Sequence, residues 1–206
     1  MKEMNDLSKK GANFASESTI TKPMIYIESK RKSMETLRKK YPDAMIIDVT
    51  SKAQDEFVKF SPFFPVGGIP IPFTEGKTAL SVEGIWQGLK VFESEDIDIH
   101  VFYKSDMKNL KRTTRRFGKC RGHRRGVYGK EILGYIEARK LIYLPCYKWV
   151  LENKLQKLVT AIRVISRKKP VVLLDYNTNA DVNDPKKALS HASLIKAFVE
   201  GNYPED

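Results

Sequence analysis

The segment that most constrains the fold is KFSPFFPVGGIPIPF, residues 59–73, which contains four prolines, two adjacent glycines and four phenylalanines. Proline fixes φ and lacks a backbone N–H, so this stretch cannot form a regular helix or a central strand. Long irregular segments are usually functional or disordered. Because this one carries so much apolar surface, we expect it to lie against a core or to line a pocket.

Residues 1–22 are rich in Lys, Ser, Asn and Thr and predict a flexible N-terminal arm. The residue patterns that predict helices and strands begin after it, at Met24. The β-branched and apolar residues at 24–29 and 44–51 predict two short strands. Between them, apolar residues recur at helical spacing and predict a helix at 31–41. This opening is β-α-β.

The rest of the chain predicts more helices than strands. Further helices are expected at 81–93, 107–117, 131–144 and 145–167, further strands at 97–103 and 171–176, and a glycine-punctuated loop at 118–129. Asp184 and Pro185 have the residue types of an N-cap and first turn, and Gly201 follows the last helix. The prediction is one compact α+β domain over residues 23–206, helix-rich with a few short strands.

Charge is concentrated in one part of the chain. The formal net charge is +12, and residues 104–130 hold eleven Lys or Arg and one acid, Asp106, which leaves +10 there. Nucleic acid, nucleotide phosphates and acidic membrane all fit this sign. The cations that could clamp phosphates are Arg115, Arg116, Lys119, Arg121, Arg124 and Arg125. The alternative is a solvated, mobile loop, in which His123 is one more polar residue.

The sequence disfavours several classes of protein. No apolar run approaches the ~20 residues of a membrane helix, and the first ten residues lack the apolar core of a secretory signal. The two cysteines, Cys120 and Cys146, are too few for a disulfide scaffold or a cysteine zinc site. We expect a cytoplasmic protein that uses no membrane, metal or cofactor.

The sharpest candidate site lies on the helix predicted at 81–93. Glu83, Gln87 and Lys90 fall at i, i+4 and i+7 and share a face, with Trp86 beside them. A carboxylate, an amide and an ammonium next to an aromatic wall can hold a sugar or a nucleotide. The alternative is an ordinary solvated face, on which Glu83 favours the helix dipole for no functional reason.

A second acidic candidate follows the strand predicted at 171–176. The loop 175–185 contains Asp175, Asp181 and Asp184, and loops at the ends of core strands often carry catalytic groups. Turn chemistry and helix capping explain the same residues, and we favour the cap for Asp184. Asp181 is left open as a second catalytic carboxylate.

The run from residue 59 to residue 92 resembles the signature of the NADAR family, the YbiA-like N-glycosidases. The counterparts of that signature are Phe60, Ser61, Phe63, Pro65, Gly76, Ser81, Val82, Glu83, Gln87 and Lys90. The sequence departs from it at Gly84, where the family has His, at Pro62 for Asn and at Trp86 for Phe, and it lacks the family's C-terminal Trp-Gly. The β-α-β opening lies outside the resemblance.

The resemblance implies cleavage of N-glycosidic bonds in ADP-ribosylated or ribosyl-phosphate substrates. Glu83, with Asp181, would stabilise the oxocarbenium-like state or activate water. Gln87 would hold a ribose hydroxyl, Lys90 and the arginines of 115–125 would meet phosphates, and Trp86 or Phe63 would stack on a base. Two readings compete with this one: a non-catalytic nucleic-acid-binding protein, and a protein that binds a nucleotide without cleaving it.

Overall fold

A computed structural model describes residues 22–204, which form a mixed α+β structure as predicted. The elements run β1 (Ile25–Ser29), α1 (Met34–Lys40), β2 (Met45–Asp48), β3 (Ile69–Pro70), β4 (Thr78–Ala79), α2 (Val82–Gly88), β5 (Lys90–Phe92), α3 (Thr114–Phe117), β6 (Cys120–Arg124), β7 (Ile132–Leu133), α4 (Tyr135–Ala138), α5 (Leu144–Asn153), α6 (Gln156–Lys168), β8 (Val171–Asp175) and α7 (His191–Glu200). The predicted arm, apart from Lys22, falls outside the described residues.

The core is built on a parallel three-stranded sheet in the order β1-β8-β2. The predicted β-α-β opening is present, but β8 inserts between its two strands and pairs with both. Val171 and Leu173 face the main core, whereas Val172 and Leu174 face Leu37 of α1. A parallel strand covered on both faces must be apolar throughout, which explains the run Val171–Leu174.

A second, antiparallel sheet has the order β5-β6-β7, and the two-residue strands β3 and β4 pair in a short hairpin. The proline-rich segment is irregular from residue 61 to residue 68 and then forms β3, and both Phe60 and Ile69 are fully buried. α4 and α5 form one continuous helical stretch through a π-helical turn at Arg139–Tyr143. Among residues 22–204, no helix is long and apolar enough to cross a membrane.

The helix predicted at 81–93 ends at Gly88, so Lys90 lies on a strand and not on the helix face. A Cβ at Gly88 would come within 2.2 Å of the Phe102 ring, so only glycine allows this close approach at the end of the helix. Val91 and Phe92 then pair with β6, since β-branched and aromatic residues suit a strand.

Other predicted elements are also wrong. Residues 97–103 form a 3₁₀ helix at Ile99–Tyr103, because Asp98 caps it through the His100 N–H. The helix predicted at 107–117 shrinks to α3, and the loop predicted at 118–129 contains β6. Residues 131–133 contain β7 and not helix, and Pro145 does not interrupt the helical stretch because the π-helical turn precedes it.

The last helix begins later than predicted. Ser190 is its N-cap, and its hydroxyl accepts the Ser193 N–H at 3.2 Å. Asp184 instead accepts the Lys186 N–H within a turn, so it does not cap α7. Gly201 ends the helix in a left-handed conformation, as predicted.

The buried carboxylate of Glu28 on β1 generates a stability prediction. Burial would raise its pKa, but hydrogen bonds donated by Lys32, Lys40 and Tyr41 lower the pKa to about 2. The stabilisation is therefore present above the unfolded pKa and is lost as pH falls through the folded one. We expect Glu28→Gln to lower the free energy of unfolding by about 1–2 kcal/mol at pH 7.

Urea unfolding at pH 7 and at pH 3 would measure this difference, which should shrink at the lower pH. Glu35→Gln is the matched control, because Glu35 is an exposed acid on the adjacent helix. An equal effect of Glu28→Gln at both pH values would contradict the assignment.

Candidate functional site

A cavity of about 610 Å³ is lined by residues from both sheets of the fold. One part of its lining, here called the α2 wall, consists of Phe63, Glu83, Trp86, Gln87, Lys90 and Lys111. Another part, the sheet-edge wall, consists of Arg31, Thr50, Ser51, Tyr176 and Asn177. The cavity thus lies between the ends of the parallel strands on one side and the junction of α2 and β5 on the other.

The first turn of α2 is braced by the proline-rich segment. The Ser81 hydroxyl accepts the Gly84 N–H at 3.0 Å, and the Glu83 N–H donates to the Pro62 carbonyl at 2.8 Å. A Cβ on Gly84 would lie 2.9 Å from the Ser81 hydroxyl and 3.1 Å from the Val101 carbonyl. The tight packing of this turn therefore accounts for glycine at the position where the resembled family has histidine.

Glu83 and Gln87 form a hydrogen-bonded pair along α2. The Gln87 Nε2 donates to Glu83 Oε1 at 2.8 Å, while the Arg112 backbone N–H donates to Gln87 Oε1 at 2.9 Å. Because a backbone N–H can only donate, it fixes which end of the amide faces Glu83. Gln87 is thus a positioning residue, and its second amide hydrogen has no acceptor among the described residues.

Burial sets the protonation of the two charged groups of the α2 wall. Glu83 is 8% exposed, and burial raises its pKa against the Gln87 hydrogen bond and the charges of Lys90 and Lys111. Burial lowers the pKa of Lys90, and Glu83 opposes that shift. A carboxyl group with a raised pKa in a cavity has the properties of a general acid or base.

Trp86 stands in a cluster of rings. Its ring centroid lies 3.8 Å from that of His123, 5.8 Å from that of Tyr135 and 5.7 Å from that of Tyr143. His123 is 1% exposed, and neither of its ring nitrogens forms a well-aligned hydrogen bond with the described residues. Burial, aided by Lys90 and opposed by the Trp86 carbonyl, lowers the pKa of His123 to about 3, so the ring packed on Trp86 is neutral.

Asp175, at the end of β8, is committed to the fold. Its Oδ2 accepts the Ser190 hydroxyl at 2.8 Å, His191 Nδ1 at 3.0 Å and the Ala192 N–H at 3.3 Å. The other nitrogen of His191 lies 2.8 Å from the Val49 carbonyl, so both ring nitrogens face acceptors. Burial would lower the pKa of His191, but Asp175 outweighs it and raises that pKa, which favours the charged pair.

The structure brings together five of the sequence-predicted site residues: Phe63, Glu83, Trp86, Gln87 and Lys90 all line the cavity. Lys90 does so from β5. Asp181 does not join them: its carboxylate is exposed and accepts the Asn183 N–H, and its carbonyl accepts from Arg139. The loop that carries Asp181 is fixed through its main chain, so the second catalytic carboxylate is not supported.

None of the six predicted phosphate-binding cations lines the cavity. Arg124 pairs with Asp96 at 2.6 Å and Arg125 with Glu131 at 2.9 Å. The remaining four are exposed: Arg115, Arg116, Lys119 and Arg121. β6 brings the buried His123 against Trp86, but Arg121 and Arg124 on the same strand are not among the residues that line the cavity.

Other cations, which the sequence reasoning did not single out, take their place. Arg112 and Arg139 line the cavity but direct their guanidinium groups at backbone carbonyls, those of Lys90 and Asp96 for Arg112 and of Val182 and Asp184 for Arg139. The sequence could have indicated a buried role for Arg139, because this cation lies beside Ala138 and Ile142 on the apolar side of a helix.

The family model described as "Family of unknown function (DUF6939)" matches residues 29–195. No curated protein and no solved structure matches the chain.

The raised pKa of Glu83 predicts a stability gain from its removal. The native state holds that proton more tightly than the unfolded state, so stability falls as pH rises from the unfolded pKa through the folded pKa. Glu83→Gln removes this loss and still offers an oxygen to Gln87. We expect the variant to be more stable than the parent by about 0.5–2 kcal/mol at pH 8, with a smaller gain at pH 4.

Urea unfolding of parent and variant at both pH values would measure the gain. Glu75→Gln, which changes an exposed acid on the β3–β4 turn, should leave stability unchanged at each pH. A Glu83→Gln protein that is less stable than the parent at pH 8 would rule out a destabilising buried carboxylate.

Proposed function

We propose that this chain, which belongs to the family of unknown function DUF6939, is an N-glycosidase that hydrolyses a ribose–nitrogen bond. The substrate class is an ADP-ribosylated compound or a ribosyl phosphate. One observation carries the proposal: a buried carboxylate, Glu83, is oriented by Gln87 in a cavity of about 610 Å³ beside Trp86 and Lys90.

The chemistry requires a carboxylate at the sugar. As the C1–N bond breaks, positive charge builds on C1 and the electron pair leaves on the nitrogen; water adds to C1, and the proton that it loses ends on the released base. Glu83 stabilises the cationic carbon and accepts the proton of the water, which its raised pKa favours.

The remaining groups of the α2 wall suit the other parts of such a substrate. Lys90 and Lys111 bring positive charge to the cavity, and Lys111 Nζ lies 5.7 Å from the centroid of the Phe63 ring. Ammonium groups bind phosphate as point charges. Trp86 and Phe63 supply aromatic surface for a base, and the free amide hydrogen of Gln87 can donate to a ribose hydroxyl.

The decisive test is release of ADP-ribose from ADP-ribosylated guanine in DNA. We expect Glu83→Gln to reduce the rate about 10²- to 10⁴-fold, the usual contribution of a general acid or base. Glu75→Gln is the matched control and should retain the parent rate. If Glu83→Gln keeps full activity, the role of Glu83 is wrong; if the parent binds ADP-ribose without releasing it from any conjugate, the protein is a nucleotide-binding protein and not a hydrolase.

A second candidate function is binding of nucleic acid without catalysis, and the surface of α3 and β6 favours it. Arg115, Lys119 and Arg121 are exposed and form no ion pair among residues 22–204. Tyr128, in the turn after β6, is 72% exposed, and exposed aromatic rings suit stacking on unpaired bases. Thr113 connects this surface to the cavity along the chain, because it lines the cavity and precedes α3.

Binding of a single-stranded oligonucleotide at several salt concentrations tests this candidate. Each phosphate contact adds about 0.7 to the slope of log affinity against log salt, so Arg115→Gln/Arg121→Gln should reduce that slope by about 1.4. Arg38→Gln/Lys39→Gln removes two exposed charges from α1 and serves as the control. Unchanged slopes in both double variants would exclude this surface as the binding face.

A further inference from the structure

The sheet-edge wall of the cavity is a feature that neither the resemblance nor the sequence-predicted site accounts for. Arg31 follows β1, Thr50 and Ser51 follow β2, and Tyr176 and Asn177 follow β8. Since the three strands are parallel, their carboxyl ends meet at one edge, and ligands of α/β proteins bind in the crevice outside such an edge. The wall is thus formed by topology from distant parts of the sequence.

The two acids at this edge are neutralised. Asp48 at the end of β2 pairs with Lys30 at 2.8 Å and accepts the Thr50 N–H at 2.9 Å. Asp175 at the end of β8 pairs with His191. Their charges therefore do not repel an anionic ligand, and Arg31 leaves the edge with positive charge.

The groups left facing the cavity are an aromatic ring, a guanidinium, hydroxyls and an amide. Arg31 Nη1 donates to the Tyr176 carbonyl at 3.3 Å, and its guanidinium carbon lies 5.8 Å from the Tyr176 ring centroid. Tyr176 is 39% exposed, so its ring is open to contact. Ser51 and Asn177 add a hydroxyl and an amide, which pair with sugar hydroxyls or with the edge of a base.

These groups differ in chemistry from the α2 wall, where a carboxyl group and two ammonium groups stand beside Trp86 and Phe63. A cavity of about 610 Å³ lies in the middle of the ~300–1,000 Å³ range that encloses drug-sized ligands, and one phosphorylated sugar would leave much of it unfilled. Two walls of different chemistry in one cavity fit a ligand with two different ends.

We infer that the sheet-edge wall is a second subsite, which binds the nucleoside end of a ligand whose reactive ribose lies at Glu83. The base stacks on Tyr176, the hydroxyls of the second ribose meet Ser51 and Asn177, and Arg31 neutralises a phosphate of the link between the two ends. This inference rests on the proposed function for the position of the reactive ribose. It selects nucleoside-diphosphate-linked riboses over simple ribosyl phosphates.

Calorimetric titration with two probes, ADP-ribose and ribose 5-phosphate, tests the subsite. We expect Tyr176→Ala and, separately, Arg31→Gln to weaken ADP-ribose binding tenfold or more while ribose 5-phosphate changes less than twofold. Tyr176→Phe keeps the ring and should bind ADP-ribose within threefold of the parent. Arg31 is exposed, so its variant provides a reading even if Tyr176→Ala fails to fold.

The outcomes separate this inference from the proposed function. Equal loss of both probes, or no loss of either, overturns the second subsite and leaves the hydrolase proposal to its own assay. If the variants selectively lose ADP-ribose binding but the parent protein hydrolyses no conjugate, the subsite is supported and the N-glycosidase proposal is overturned. A parent protein that binds neither probe overturns both.

Discussion

The backbone N–H of Arg112 is the constraint on which the candidate site depends, because it fixes the direction of the Gln87 amide and thereby the hydrogen bond to Glu83. That N–H is held in place by the Arg112 side chain, which donates to the carbonyls of Lys90 and Asp96 and lies over the rings of Phe92 and Phe117, 5.1 and 5.3 Å from their centroids. A buried carboxylate without a positioned donor would be costly and poorly oriented.

The buried arginines act on the cavity in two ways. Arg139 donates to the carbonyls of Val182, Asp184 and Lys187, and so fixes the loop before α7 without using a carboxylate. Because neutral carbonyls satisfy its hydrogen bonds but do not cancel its charge, Arg139 still contributes positive potential to the cavity that it lines. The Arg139 side chain therefore both fixes the loop before α7 and makes the cavity more attractive to anions.

Much of the fold was predictable where local signals were strong. The apolar runs of β1, β2 and β8 predicted strands, and the spacing of Glu83 and Gln87 predicted their common face on α2. The prediction failed at Lys90, because Gly88 ends the helix against Phe102, a contact between residues from different elements. It failed for Asp184 in a similar way, since Ser190 competes as the cap and also bonds Asp175.

The sequence by itself determined the α+β character, the irregular backbone of the proline-rich segment and the presence of Glu83, Trp86 and Gln87 on one helix. Each of these follows from residue type and spacing within a few positions. Only the tertiary structure decided which cations face the cavity and that the strand ends of Arg31, Ser51 and Tyr176 form its other wall. The insertion of β8 between β1 and β2 brings those distant residues together, and pairing between distant strands leaves no mark in local sequence.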